Sequence, residues 1–341
     1  MKLTLKSGLF LSLLLAGACS WESAALEAMG WEGIDRTVNR TFQVRPGGKL
    51  TVESDLGSIQ VKSTSSDRVD VEVIRKVNAR DDAEADKILR DLDLQITQSG
   101  SDVQVRAKLP RHFGWDNWGR HLRLAFNINV PRSFNVDLQT SGGSIGVDDL
   151  QGEVRSKTSG GSLRFGHIQG PVHGRTSGGS IHLDSCNGNA DVETSGGSIQ
   201  MGDVEGDVRA DTSGGSIRIA RVQGTVKAET SGGSIDVEEV MGQIQASTSG
   251  GGVSASISRQ PRGDCRLSTS GGSINVNLAD RIAVDLDAET SGGHVRVDFP
   301  VTIQGAISKT ELRTPLNGGG PKLFLRTSGG NVNVRRLGAD K

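Results

Sequence analysis

Tyrosine is absent from this 341-residue chain, and all aromatic residues together make up only 4% of it. A carbohydrate cleft built on stacked rings therefore has little to draw on. Cysteine occurs three times, at Cys19, Cys186 and Cys265, too rarely for a disulfide framework or a cysteine-rich zinc module. The formal net charge is −1, so no basic excess exists to neutralise a nucleic-acid backbone or an acidic membrane surface. Apolar runs are short, and none is long enough to cross a bilayer as a helix.

What the chain has in excess is glycine, 47 residues, about twice the usual ~7% share. Much of it belongs to one phrase, Thr-Ser-Gly-Gly, which occurs ten times, starting at Thr140, Thr158, Thr176, Thr194, Thr212, Thr230, Thr248, Thr269, Thr290 and Thr327. The first seven copies are 18 residues apart, the next two steps are 21, and the last is 37. Self-similarity at a fixed short period marks a stacked-repeat architecture.

Within each period the sixth and eighth positions are apolar, as in Ile181 and Leu183 or Ile217 and Ile219. A second alternating run follows, as in Val208 and Ala210 or Val226 and Ala228. Residues two apart on a strand share a face, so each period reads as two short strands with their apolar sides turned the same way. The turns fall at Gly-Gly and at a single glycine such as Gly188 or Gly206, where tolerance of φ > 0 is the expected reason for the residue. One unit cannot bury its own apolar face, whereas a stack turns each column into a continuous internal ladder. The fold class expected is all-β: a parallel β-solenoid of about ten 18-residue rungs over residues 140–298. Cys186 and Cys265 fall in inward columns four rungs apart, roughly 19 Å at the strand spacing. That is too far for a disulfide, and they read as small buried hydrophobes.

Residues 1–19 read as an export signal: Lys2 and Lys6, the apolar run Leu9 to Leu15, and then small residues up to Cys19. The ending Leu-Ala-Gly-Ala-Cys resembles a bacterial lipobox, which implies lipid attachment at Cys19 and, with Ser20 following, the outer membrane. Residues 20–36 read as a tether, and 37–139 as a β-rich region that precedes the repeats. In that region Gly57-Ser58-Ile59-Gln60-Val61 is a degenerate copy of the repeat. Ala85, Ile88, Leu89 and Leu92 follow helical spacing after Asp81 and Glu84, which form a capping-box pattern, so a helix is expected over residues 81–92. Residues 299–341 are expected to form a degenerate rung, a loop and a C-terminal cap that protects the open end of the stack. The extra residues of the two 21-residue steps fall near Arg259–Arg262 and Asp280–Arg281 and should form surface loops.

Taken together, the Gly-Ser-Ile copy at Gly57, the helix near Ile88, Val130-Pro131, the repeats and the closing Leu323 to Val332 resemble a family of bacterial envelope proteins. These are β-strand-repeat candidate adhesins built on a domain of unknown function. The resemblance covers nearly the whole chain after the signal. It implies surface or envelope binding and supplies no catalytic residue.

Catalytic and metal chemistry find little support in the residues themselves. A phosphate loop needs a helix after its glycines, and here a strand follows. A serine nucleophile needs a base, and no histidine recurs with the motif. Calcium-binding β-rolls carry aspartate in their turns, and these turns have no carboxylate at a repeated position. Each motif threonine continues an inward alternation, so no outward threonine array for templating ice is presented. The rival reading is a polysaccharide-active β-helix enzyme, a lyase or hydrolase, for which Asp191 with Glu193 or Asp287 with Glu289 would be the carboxylate pair. One segment stands apart: Arg111, His112, Trp115, Trp118, Arg120 and His121 crowd into a loop. Exposed Trp and Arg are typical interface anchors, so Trp115, Trp118, Arg111 and Arg120 are the expected partner contact. His112 and His121 provide only two zinc ligands at long spacing. The expected function is thus a non-enzymatic structural or adhesin-like envelope protein, without cofactor or metal. Its membrane link would be a lipid anchor, and its partner an envelope protein or glycan rather than nucleic acid.

Overall fold

The computed structural model describes residues 33–110, 121–301 and 308–338. The 18-residue period is one coil of a two-sheet solenoid. Strands such as Ile181–Cys186, Ile199–Val204 and Ile217–Val222 stack into one sheet, here the isoleucine sheet. Strands ending on the motif threonine, such as Ala190–Thr194, Val208–Thr212 and Val226–Thr230, stack into the other, the threonine sheet. Pairing is parallel and in repeat register: Ile181 faces Ile199, which faces Ile217, and Thr194 faces Thr212. Among the described residues the isoleucine sheet has 15 strands and the threonine sheet 14.

The six-residue strands of the isoleucine sheet interrupt their own alternation. Ile199, Met201 and Val204 are buried while Gly202 and Asp203 both face outward. Two successive outward residues bend the strand and return the third apolar side chain to the core at the corner. The core between the sheets is filled by compensation within a coil. Phe165 is fully buried, and Gly174 opposite it leaves the room: a Cβ there would sit 3.1 Å from the Phe165 ring. In the coil where Ala255 is small, Leu267 is large. Such matching keeps a thin interior at close-packed density.

Positive φ turns out not to be the reason for the paired glycines. None of them is in the left-handed region. The second glycine of each pair instead lies directly on the coil before it: a Cβ on Gly197 would be 2.2 Å from the Gly179 carbonyl oxygen. Close approach of backbones, rather than backbone conformation, dictates glycine here. Cys186 and Cys265 are free and buried, as their columns require.

The region before the repeats is continuous with the rod. Strands Lys49–Ser54 and Ser58–Thr64 form a coil that pairs directly with the first motif coil, through Asn135–Thr140 and Ile145–Val147. A further coil, Asp102–Lys108 with Leu122–Pro131, lies outside that one although it comes later in the chain. Antiparallel strands then close this end: Arg68–Val77 and Ile34–Gln43 on the isoleucine sheet, Asp93–Ser99 on the threonine sheet. The first of these begins at Ile34, inside the stretch read as tether. The helix, Asp82–Arg90, links the outer strands of both sheets and buries Ala85. Its cap is Asp81, whose side chain accepts from Glu84 N at 2.8 Å, while Glu84 accepts from Arg80 N at 2.9 Å. Arg36 ties the helix to the edge strand through Asp82 at 2.6 Å.

The far end differs from the expected rung, loop and cap. Strands Lys322–Thr327 and Val332–Arg336 form a complete coil, and it is inserted into the stack. On one side it pairs with Cys265–Thr269 and Ile274–Leu278, on the other with Val284–Thr290 and Val295–Val297. The 37-residue step is the detour that makes this possible, and Glu311–Leu316 runs antiparallel along the outermost edge. A proline, Pro315, sits on that edge strand, where it removes a donor from the exposed ladder. The two shorter insertions are surface loops, joined by Gln260, whose amide accepts from Ala283 N and donates to Ala283 O, both at 2.8 Å. No helix among the described residues is long and apolar enough to cross a membrane.

Candidate functional site

The expected partner contact, Trp115, Trp118, Arg111 and Arg120, lies outside the described residues, as do His112 and the expected lipidation site Cys19. Among the described residues, no group of three or more His, Cys, Asp or Glu could hold a metal ion.

Two of the motif's three repeated hydroxyls, those of the threonine and of the serine after the glycines, are engaged by the fold. Thr176, Thr194 and Thr212 each donate from Oγ1 to the second glycine of the preceding coil, at 2.7, 2.7 and 2.8 Å. The same oxygen accepts from the second glycine N–H of its own coil, as Gly197 N does to Thr194 at 3.3 Å. The serine that follows the glycines works the other way: Ser180 Oγ accepts from Ser198 N at 3.2 Å. The motif thus links each coil both backward and forward, which accounts for a Thr, a Gly and a Ser at those positions without any chemistry.

The carboxylate pairs considered for glycoside cleavage are likewise engaged. Asp191 is within 3.9 Å of Arg175 and Arg209, and Glu193 is 3.5 Å from Arg175. Asp287 lies 3.3 Å from Arg313 and 3.1 Å from Arg326, which also pairs with Glu289. These are surface ladders of alternating charge, solvated and self-neutralising.

Where the N-terminal coils meet the regular repeats, the isoleucine sheet splays. Strand Ser58–Thr64 is seven residues long, but its neighbour Ile145–Val147 stops after three. The last bond between them is Asp148 N to Val61 O at 2.9 Å. Asp148 and Asp149 then turn outward, and an open hollow of about 740 Å³ is left between the flanking strands. Its lining includes Lys62, Arg132, Asp148, Asp149, Arg164, His167 and Asp184.

The three carboxylates of this hollow already have partners. Gln60 lies over Gly146, where a Cβ would be 2.0 Å from its Oε1, and donates to Asp148 at 3.0 Å. Asp149 Oδ1 accepts the His167 backbone N–H at 3.0 Å and meets His167 Nδ1 at 2.9 Å, so a side chain replaces the missing ladder partner. The backbone bond, then the imidazole, hold the Asp149 carboxyl below the ordinary range, with Arg132 contributing from a distance. Its bond to Asp149 and that residue's charge push the His167 imidazole up. Asp184 takes His182 Nε2 at 2.8 Å. The cations are a different matter. Lys62, Arg132 and Arg164 are exposed, and none makes an ion pair within 4 Å among the described residues. In register Arg164 stands between Gly146, which has no side chain, and His182, which is committed to Asp184. Sequence reading did not single out this hollow. Its one signal is Gly146, a glycine in an outward column that carries side chains in the coils that follow.

Comparison with solved structures finds an adhesin candidate from Bacteroides fragilis, 12% identical, covering 89% of this chain and 97% of its own, with a TM-score of 0.29. A lipid-binding-protein candidate from Parabacteroides distasonis is 15% identical over 72% of this chain and 98% of its own, TM-score 0.35. A cell-adhesion-protein candidate from Clostridium sporogenes is 11% identical over 89% and 100%, TM-score 0.22. The roles in these descriptions are those proteins' own. No curated protein matches the chain. The Toastrack DUF4097 family model matches residues 47–335, from the first coil through the inserted last one, and the chain belongs to that family.

Proposed function

We propose that this protein is a non-enzymatic component of the bacterial cell envelope, exported through residues 1–19, lipid-anchored at Cys19, and acting as a rod that contacts an envelope protein or glycan. The observation that carries this reading is the allocation of polar groups. The motif threonine hydroxyls are engaged in holding coil to coil, and many outward carboxylates are engaged in ion-pair ladders, so what remains outward is a long, mixed, polar contact surface. The loop containing Arg111, Trp115, Trp118 and Arg120 would add an aromatic anchor to that surface.

Two measurements test it. Intact mass and membrane fractionation of the mature protein should show an acyl mass shift and membrane retention, both lost in Cys19→Ser; a soluble, unmodified chain would sink the anchored reading. The chain lacking residues 1–19 should cosediment with isolated envelopes, less so after Trp115→Ala with Trp118→Ala, and an absence of cosedimentation would sink the contact role.

A further inference from the structure

The hollow at the splayed junction has a composition unlike the rest of the surface. Along the rod, many outward cations and carboxylates pair with each other, as Arg218 does with Asp236, Arg221 with Glu239 and Arg209 with Asp211. At the junction the carboxylates are satisfied by an amide and two histidines instead, and this leaves three cations over. The cause is backbone geometry. Lys62 lies beyond the point where its neighbour strand ends, Arg132 lies where the outer coil crosses back, and Arg164 faces a glycine. The three come from three different coils, yet line one hollow of about 740 Å³, within the ~300–1,000 Å³ range of small-molecule sites.

We propose that this hollow binds an acidic saccharide, with a sugar carboxylate held by Arg132, Arg164 and Lys62. The assignment rests on the envelope-contact reading above and names the ligand class for it. Guanidinium groups take a carboxylate in paired hydrogen bonds, which a bare cation patch shares with any anion. Saccharide is favoured by the remaining lining: Gln151 and Gln169 offer both donors and acceptors, and the Asp148 and Asp184 carboxylates keep acceptor capacity for ring hydroxyls. Among the described residues no large apolar side chain besides Leu150 lines the hollow, which disfavours an apolar ligand there.

The test is calorimetric titration of the full mature chain with trigalacturonic acid, maltotriose and inorganic phosphate. Saturable binding of trigalacturonic acid is expected, with maltotriose and phosphate at least tenfold weaker. Arg132→Gln and Arg164→Gln should each weaken it at least tenfold with little change in melting temperature, because neither side chain makes an ion pair within 4 Å among the described residues. Arg218→Gln, on the same sheet but paired with Asp236, should leave binding unchanged. No saturable binding of trigalacturonic acid, equal binding of maltotriose or of phosphate, or indifference to both arginine variants would each overturn the assignment. If trigalacturonic acid fails while the same protein still cosediments with envelopes, the hollow is wrong and the contact role stands. If cosedimentation fails as well, the broader reading falls with it.

Discussion

His167 and Asp149 are joined twice through one oxygen: Asp149 Oδ1 lies 3.0 Å from the His167 backbone nitrogen and 2.9 Å from its Nδ1. The pair bridges neighbouring coils where the sheet ladder is broken, and it shifts both groups in the directions that favour their charged forms. The His167 contribution to stability is full below the ordinary imidazole value and is lost as pH rises through the raised folded value. The Asp149 contribution is full above the ordinary carboxylate value and is lost as pH falls through the depressed one. The two overlap between about pH 4 and 6.5. NMR titration should place His167 above the ordinary histidine value, and Asp149→Asn should remove that elevation. The stability difference between the two proteins should be small, since both groups are well exposed, and should be largest inside the overlap window. A His167 titration unaffected by Asp149→Asn would show that the bond is not formed in solution.

The threonine and glycine of one motif should fail for different reasons. Thr194→Val keeps the shape but strands the Gly179 carbonyl and the Gly197 N–H, a loss of about 1–3 kcal/mol. Gly143→Ala places a Cβ 2.0 Å from the Gly57 carbonyl oxygen, so two coils must separate, and the expected cost is about 3 kcal/mol or more. Its neighbour Gly142 has nothing within 4 Å of the same added atom, and Gly142→Ala should stay within about 0.5 kcal/mol of wild type. Urea midpoints of the three variants check the order; equal effects at Gly142 and Gly143 would contradict the close approach.

Neither internal cysteine should behave as a reactive thiol. Burial pushes Cys186 up to about 11 and raises Cys265 as well. The Cys186 thiol also donates to Gly188 O at 3.2 Å. A thiol-directed reagent at mildly alkaline pH should label neither residue in the folded protein, and both after denaturation. Labelling of the native chain at either position would mean that the coils there open locally.

How much could be read in advance follows from how the rungs are paired. Ile181, Ile199 and Ile217 are neighbours in space because they are one period apart in sequence, so the spacing is already the register. The capping residues of the helix are local for the same reason, and Asp81 and Glu84 act within their own turn. By contrast, Leu323 meets Cys265 on one side and Leu286 on the other. Nothing in the period announces that exchange, because the inserted coil satisfies the same columns as the coils it displaces. The glycine pairs show a subtler limit: their presence was legible, but backbone conformation was the wrong physical reason for it.

The solenoid, its 18-residue coil, its inward columns and its turns follow from the chain's periodicity alone, since each of these is a contact between a residue and its copy one period away. The order of coils at both ends and the hollow beside Asp149 emerge only in the folded chain. Those depend on which non-consecutive coil docks against which, a choice made by backbone pairing over long sequence separations. Lys62, Arg132 and Arg164 are brought together, without ion-pair partners among the described residues, by a strand only three residues long, a property of the junction and of no single motif.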